Sequence, residues 1–328
     1  MQTNSRLSYI DMAKGFSIML MVFGHAYSTS RTNYIITWIY SFHMPFFFLT
    51  TGILYGLKAK NQGELSWNFQ HKFRTLLLPY FLWNTLYQLF ISILSIIGGA
   101  SPKETIINHL LAVIHLSGSA MWFLPAMFIA SFIFLLTVKN KSLNIAIVFL
   151  ATFIGLFAPE CSSLSSAFLR SFIGLTYIAA GFYGVTIFTT KINKMYTVIL
   201  FIFSLLPALA NGIVSIFDRN FHNPILYFLN GCLGTFIIYQ TAMNAKKESP
   251  LSRLFAYWGR NSIKILCLHG FFIQVIRLVD YKILGNILPS LGLFEGFVFT
   301  AVVMTTLTVM LPLINRLLGW SFGNPYPH

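Results

Sequence analysis

An all-α integral membrane protein of about ten transmembrane helices is the fold class that the amino-acid sequence predicts, and three observations predict it. Of 328 residues, 56% are hydrophobic and only 9% are charged, too few charges to solvate a globular surface. Apolar stretches of about 20 residues, the length that crosses a bilayer core, recur from one end of the chain to the other. The basic residues stand singly between those stretches, and sixteen of the 22 fall on one set of alternate loops, as the positive-inside rule requires.

Hydropathy places the spans at 8–28, 34–57, 74–98, 119–138, 143–158, 167–188, 196–216, 224–243, 260–279 and 294–317. The first has its apolar core at 16–23; a signal peptide has a similar core, but no polar mature domain follows for it to export. The second runs through Pro45, which removes a backbone donor and is expected to disturb the helix. The third is entered through the basic stretch His71-Lys-Phe-Arg74. Between the third and fourth, residues 105–116 are amphipathic and read as an interfacial helix. The fourth opens on Met121-Trp-Phe-Leu-Pro125, and the fifth is short for a full crossing. The sixth and eighth carry Gly181 with Gly184 and Gly231 with Gly234, spacings that let a neighbouring helix approach closely. The seventh has no such feature, the ninth starts at Asn261 and Ser262, which can cap it, and the tenth ends near the C-terminus. The basic loops place the N-terminus in the cytoplasm, and an even number of spans returns the C-terminus to it. Residues 1–328 read as a single polytopic domain without an appended soluble one.

The net charge of +14 would suggest nucleic acid in a soluble protein, but scattered single charges make no phosphate-binding face, so no nucleic acid is expected. Cys161, Cys232 and Cys267 are odd in number and far apart; neither a disulfide framework nor a metal site is indicated.

Ionisable side chains inside a span cost roughly 2.5–3.5 kcal/mol or more at the bilayer centre, so each needs a partner, a cavity or a function. Lys14 and His25 are eleven residues apart in the first span, which at about 100° per residue puts both on one face, roughly 16 Å apart along the axis. Lys14 can also be a snorkelling lysine paired with Asp11, and His25 an interhelical hydrogen-bonder. His43 lies two residues before Pro45, where a histidine can satisfy the freed backbone. For Lys72 topology is reason enough, whereas Arg74 abuts the apolar run and has the geometry to clamp a phosphate. Trp122 offers an indole donor beside a proline, and His269 recurs within an apolar segment.

Taken together, these blocks resemble the membrane acyltransferase-3 family, in particular its fucose 4-O-acetylase-like branch. The resemblance rests on Tyr9-Ile-Asp-Met-Ala-Lys-Gly15 with Gly24-His25, Ser41-Phe-His-Met-Pro-Phe-Phe-Phe48 with Gly52, Arg74 with Leu-Leu-Pro-Tyr80, Trp122-Phe-Leu124, and Gly259-Arg-Asn-Ser262 with His269. It implies a multi-pass enzyme of the cell membrane, in bacteria the inner one, that takes an acetyl group from cytosolic acetyl-CoA to a sugar hydroxyl of an envelope or exported glycan, or of its lipid-linked precursor. Lys14 and His25 match the family's basic-residue-then-histidine motif. Of its paired-arginine motif only Arg74 matches, with His71 in the first place. On this reading His25 is the general base, His43 a second catalytic candidate, and Lys14, Arg74 and His71 bind the donor. Trp122, His43 and the backbone near Pro45 are oxyanion candidates, and Asn261, Ser262 and His269 are further oxyanion or acceptor candidates. Acetyl-CoA is a substrate and no permanently bound cofactor is expected; membrane lipid is the surrounding partner and the oligomeric state stays open. A secondary transporter or saccharide flippase is the alternative, since it too would show ten spans with intramembrane His and Arg.

Overall fold

The computed structural model describes residues 8–27, 33–63, 65–117, 119–288 and 292–323. Two of the 22 basic residues counted for topology, Arg6 and Arg31, lie outside the described residues. Regular structure among the described residues is helical, apart from one isolated bridge between Ser215 and Asn220. In chain order the helices are α1 (Ser8–Ala26), α2 (Tyr34–Gln62), α3 (Phe69–Lys72), α4 (Leu78–Ile97), α5 (Pro102–Ile114), α6 (Phe123–Thr137), α7 (Lys141–Phe157), α8 (Ser163–Tyr183), α9 (Val185–Thr189), α10 (Lys194–Asn211), α11 (Pro224–Asn244), α12 (Pro250–Arg260), α13 (Ser262–Val279) and α14 (Leu293–Leu318).

Seven continuous helical segments among the described residues are long and apolar enough to cross a membrane: Phe69–Ile97, Ala120–Thr137, Ser163–Tyr183, Lys194–Asn211, Pro224–Asn244, Ser262–Leu284 and Leu293–Phe322. The other three expected spans form helices too. α7 has 17 residues and is short. α1 and α2, with 19 and 29 residues, are long enough but carry more polar side chains. Those two are also the helices most enclosed by others, since α1 packs against α2, α11, α12, α13 and α14, and α2 against α8, α10 and α11. Polar groups concentrate where lipid does not reach.

Local chemistry sets several boundaries. Pro79 has no N–H to give the carbonyl four residues back, and the turn just before it, Phe73–Leu77, widens into a π turn that joins α3 to α4. Pro45 behaves otherwise: α2 runs uninterrupted from Tyr34 to Gln62, so the broken helix expected there does not form. Residues 250–259, expected to lie between the eighth and ninth spans, belong to α12. Ser249 caps this helix through Ser252 N–H, and Leu254, Phe255 and Trp258 turn one apolar side inward.

The capping expectation for Asn261 is corrected as well. Its side chain makes no N-cap bond to α13. Instead Nδ2 donates to Tyr257 O at 3.0 Å and Oδ1 accepts from Lys264 Nζ at 3.1 Å, while its backbone N–H closes the end of α12. The C-terminus of the short helix uses this residue first.

Two glycine pairs set the closest helix approaches. A Cβ on Gly15 would strike the Phe255 carbonyl, and one on Gly259 the Asp11 carbonyl, so α1 and α12 meet backbone to backbone. Gly52 of α2 and Gly181 of α8 interlock in the same way, against the carbonyls of Ile178 and Leu49. The small-residue role expected of Gly181 thus has a specific partner.

Candidate active site

The last turns of α1, most of the length of α13 from Leu266 to Arg277, and the first half of α2 converge on a cavity of about 650 Å³. His25, His43, His269 and Trp122, which the sequence singles out from four different segments, all line it. Tyr87 of α4 closes one side, and residues 214–218, in the loop between α10 and α11, form another wall. Asn211 holds that loop by donating to the Phe221 and Asn223 carbonyls and accepting from Asn223 N–H.

The central contact is between two imidazoles. His25 Nδ1 lies 3.0 Å from His269 Nε2. The direction of that bond follows from the next one along: His269 Nδ1 faces the Leu266 and Ile265 carbonyls at 2.8 and 3.1 Å. A carbonyl can only accept, so His269 carries its proton on Nδ1 and its Nε2 is an acceptor. The proton between the rings therefore sits on His25 Nδ1, which leaves the lone pair of neutral His25 on Nε2. The chain of bonds selects one tautomer of His25, the arrangement a general base needs.

His43 is 4% exposed and stands edge-on to His25, with ring centroids 6.4 Å apart. Its Nδ1 donates to Ile39 O at 3.0 Å, a carbonyl that the helix already serves through the His43 N–H. The carbonyl that Pro45 leaves without a helical donor is that of Ser41, so His43 does not repair it. In its neutral form His43 presents an acceptor at Nε2, and this removes it as an oxyanion donor while leaving it able to receive a hydroxyl hydrogen bond. Tyr40 packs against His43 at 4.9 Å and its hydroxyl reaches Gly24 O at 3.3 Å.

Other expected site residues lie elsewhere. Asn261 and Ser262 are buried but do not line the cavity. Lys14 is half-buried, eleven residues before His25 on α1, and His71 and Arg74 are exposed at the start of the helix that carries Tyr87. Thirteen residues separate Arg74 from Tyr87, roughly 20 Å of helix. The anticipated donor-binding side chains are thus grouped toward the opposite ends of these helices from the histidines.

Arg277 is a cavity residue that is not among the candidates drawn from the sequence. Its Nη2 approaches the His25 and Ala26 carbonyls at 3.5 and 3.4 Å, and its Nε has no hydrogen-bond partner among the described residues. An arginine inside a predicted span was the signal that could have found it. Lys264, in the same predicted span, is buried as well, beside Asn261 and 5.9 Å from the Phe322 ring centroid. Among the described residues no three His, Cys, Asp or Glu side chains are grouped to hold a metal ion.

A sequence-family model described as an acyltransferase domain, that of the acyltransferase-3 family, matches residues 7–313. No curated protein and no solved structure matches the chain.

Proposed function

The chain belongs to the acyltransferase-3 family, and from that premise we propose that it is a membrane O-acetyltransferase acting on a saccharide. The donor is cytosolic acetyl-CoA, and the acceptor is a sugar hydroxyl of a cell-envelope or exported polysaccharide or of its lipid-linked precursor. Its place in the family is the fucose 4-O-acetylase-like branch. The chain crosses the bacterial inner membrane about ten times with both termini in the cytoplasm. In that topology Tyr27, Ser119, Ser215, Tyr227 and Arg277, which line the cavity, stand at helix ends away from the cytoplasm, whereas Lys14, His71 and Arg74 stand at the cytoplasmic ends. Donor phosphates and acceptor sugar approach His25 from opposite sides.

The observation that carries this reading is the His25 Nδ1 to His269 Nε2 contact of 3.0 Å inside a family-matched domain. His25 Nε2 takes the proton of the acceptor hydroxyl while that oxygen bonds to the thioester carbonyl carbon. The resulting oxyanion is met by the Trp122 indole N–H and the Arg277 guanidinium. Collapse of the adduct breaks the C–S bond, and the CoA sulfur leaves with the proton that His25 had taken. His269 stabilises the transient imidazolium of His25 by accepting its Nδ1–H. Lys14 and Arg74, with His71 beside them, hold the phosphates of CoA.

Purified protein given acetyl-CoA labelled in the acetyl group tests the proposal. A saccharide acceptor should become labelled by the native enzyme and not by His25→Asn. Solute uptake into proteoliposomes without any acetylated product would instead establish a transporter.

A further inference from the structure

A second cavity, of about 520 Å³, lies beside the first and shares the Phe217 side chain with it. Its wall includes Arg170, Ser162, Ser163, Ser166 and Ser117. We propose that this pocket is an oxyanion site that holds a phosphate or carboxylate group of the acceptor saccharide, with Arg170 as its cation. The site stands on its own geometry, and its assignment to the acceptor rests on the acetyl-transfer reading.

Arg170 is the main argument. It sits in the apolar helix α8, is only 7% exposed, and its Nε and Nη1 have no hydrogen-bond partner among the described residues. A buried guanidinium with two unmatched donors is costly, and intramembrane arginines are retained for partners or ligands. Two acids stand near, Glu160 and Asp218, and among the described residues neither makes a hydrogen bond or ion pair with Arg170. Glu160 lines the same pocket, but its Oε1 is bound by Arg219 Nη1 at 3.2 Å, and Arg219 is itself fixed by the Gly155 and Ala158 carbonyls.

The rest of the wall favours an anion as well. α8 is 21 residues long and starts at this pocket, with Ser162 as its N-cap in a capping box with Ser165. The positive end of its dipole therefore lies at the same space as Arg170, and Ser162, Ser163 and Ser166 line that space, although the Ser166 hydroxyl is already given to the Ser162 carbonyl. Arg170 also lies 4.1 Å over the Phe217 ring and 5.8 Å over Trp122, and both rings line the histidine cavity. An acceptor anchored by its oxyanion at Arg170 thus extends across these two aromatic side chains toward His25.

Cys161 gives the pocket a built-in reporter. It is exposed and lines the site, whereas Cys232 is half-buried and Cys267 buried. The experiment follows the rate at which a maleimide labels Cys161 in the purified full chain, at constant ionic strength, with inorganic pyrophosphate, glucuronate or glucose added. Pyrophosphate or glucuronate should slow labelling saturably, and glucose should not. Arg170→Gln should raise the half-protecting concentration at least about tenfold, the loss expected for a charge-assisted contact. Ser163→Asp is a second variant, since a carboxylate at the start of α8 suits the helix dipole while repelling an anion at the pocket; it too should raise the half-protecting concentration at least about tenfold. Stronger protection by pyrophosphate would mark a phosphate-linked carrier, and stronger protection by glucuronate a uronic-acid polymer. Absence of saturable protection, or equal protection in the folded variants, overturns the proposal. Protection without any acetyl transfer would keep the site and sink the enzymatic reading, while transfer without protection would sink the site alone.

Discussion

His25 and His43 are imidazoles of one cavity, yet their bonding differs, and the difference is testable. His25 presents its Nε2 lone pair with Nδ1–H pinned by His269, whereas His43 spends its Nδ1–H on a helix carbonyl. Asn at position 25 keeps a polar group but cannot take and return a proton near neutral pH. His25→Asn is therefore expected to fold and bind acetyl-CoA while losing acetyl transfer by at least about a hundredfold, with His43→Asn losing less. On the proposed mechanism His269 acts through His25, as a positioning residue. His269→Ala should lower kcat at least about tenfold with little change in the KM for acetyl-CoA, and His269→Gln, which keeps an acceptor oxygen, should recover part of the loss. On the donor side, Arg74→Ala should chiefly raise that KM, by the roughly 1.5–3 kcal/mol of a charge-assisted contact, and Arg74→Lys should restore only part. Steady-state kinetics on detergent-solubilised protein checks all three. The four residues His25, His43, Trp122 and His269 were legible because polar side chains in apolar runs are conspicuous. Arg170 and Arg277 look the same in sequence as arginines that merely mark a membrane side, and only their burial or cavity position separates them. The His25 to His269 pairing spans 244 residues, beyond the reach of any helical periodicity.

At the scale of elements, hydropathy found the long apolar helices because burial in lipid leaves an uninterrupted signature. α12 escaped because its apolar residues occupy one side of a short helix and are interleaved with Arg253 and Arg260. Its mutual glycine contact with α1 is what holds the first helix in place behind the site. Gly259→Ala should push the two backbones apart and destabilise the protein by about 1–3 kcal/mol, as overpacking does. Thermal unfolding in detergent measures this, and the same substitution at Gly63, where the space is open but φ is +80, should act through backbone strain alone and leave the α1 to α12 contact intact.

For the molecule as a whole, sidedness is the prediction on which the donor and acceptor roles depend. In intact cells the native Cys161 should react with an impermeant thiol reagent, as should a cysteine at Ser101. In a Cys161→Ser background, cysteines introduced at 139–142 or 244–249 should stay unreactive; the reverse pattern would exchange the two sides. The central position of α1 carries a consequence for biogenesis. Its packing partners α12 and α13 lie near the far end of the chain, so the partner of His25 leaves the ribosome 244 residues later. At about 5–20 residues per second that is a delay of roughly 12–50 s. Throughout it, a helix with an acid, a lysine and a histidine must wait in the insertion machinery or the bilayer, with α2 beside it but α12 and α13 still to be made. The pairing of His25 with His269 cannot form during that interval, and the quality of α1 as a membrane segment is set by how long it can wait as much as by the cavity it will complete.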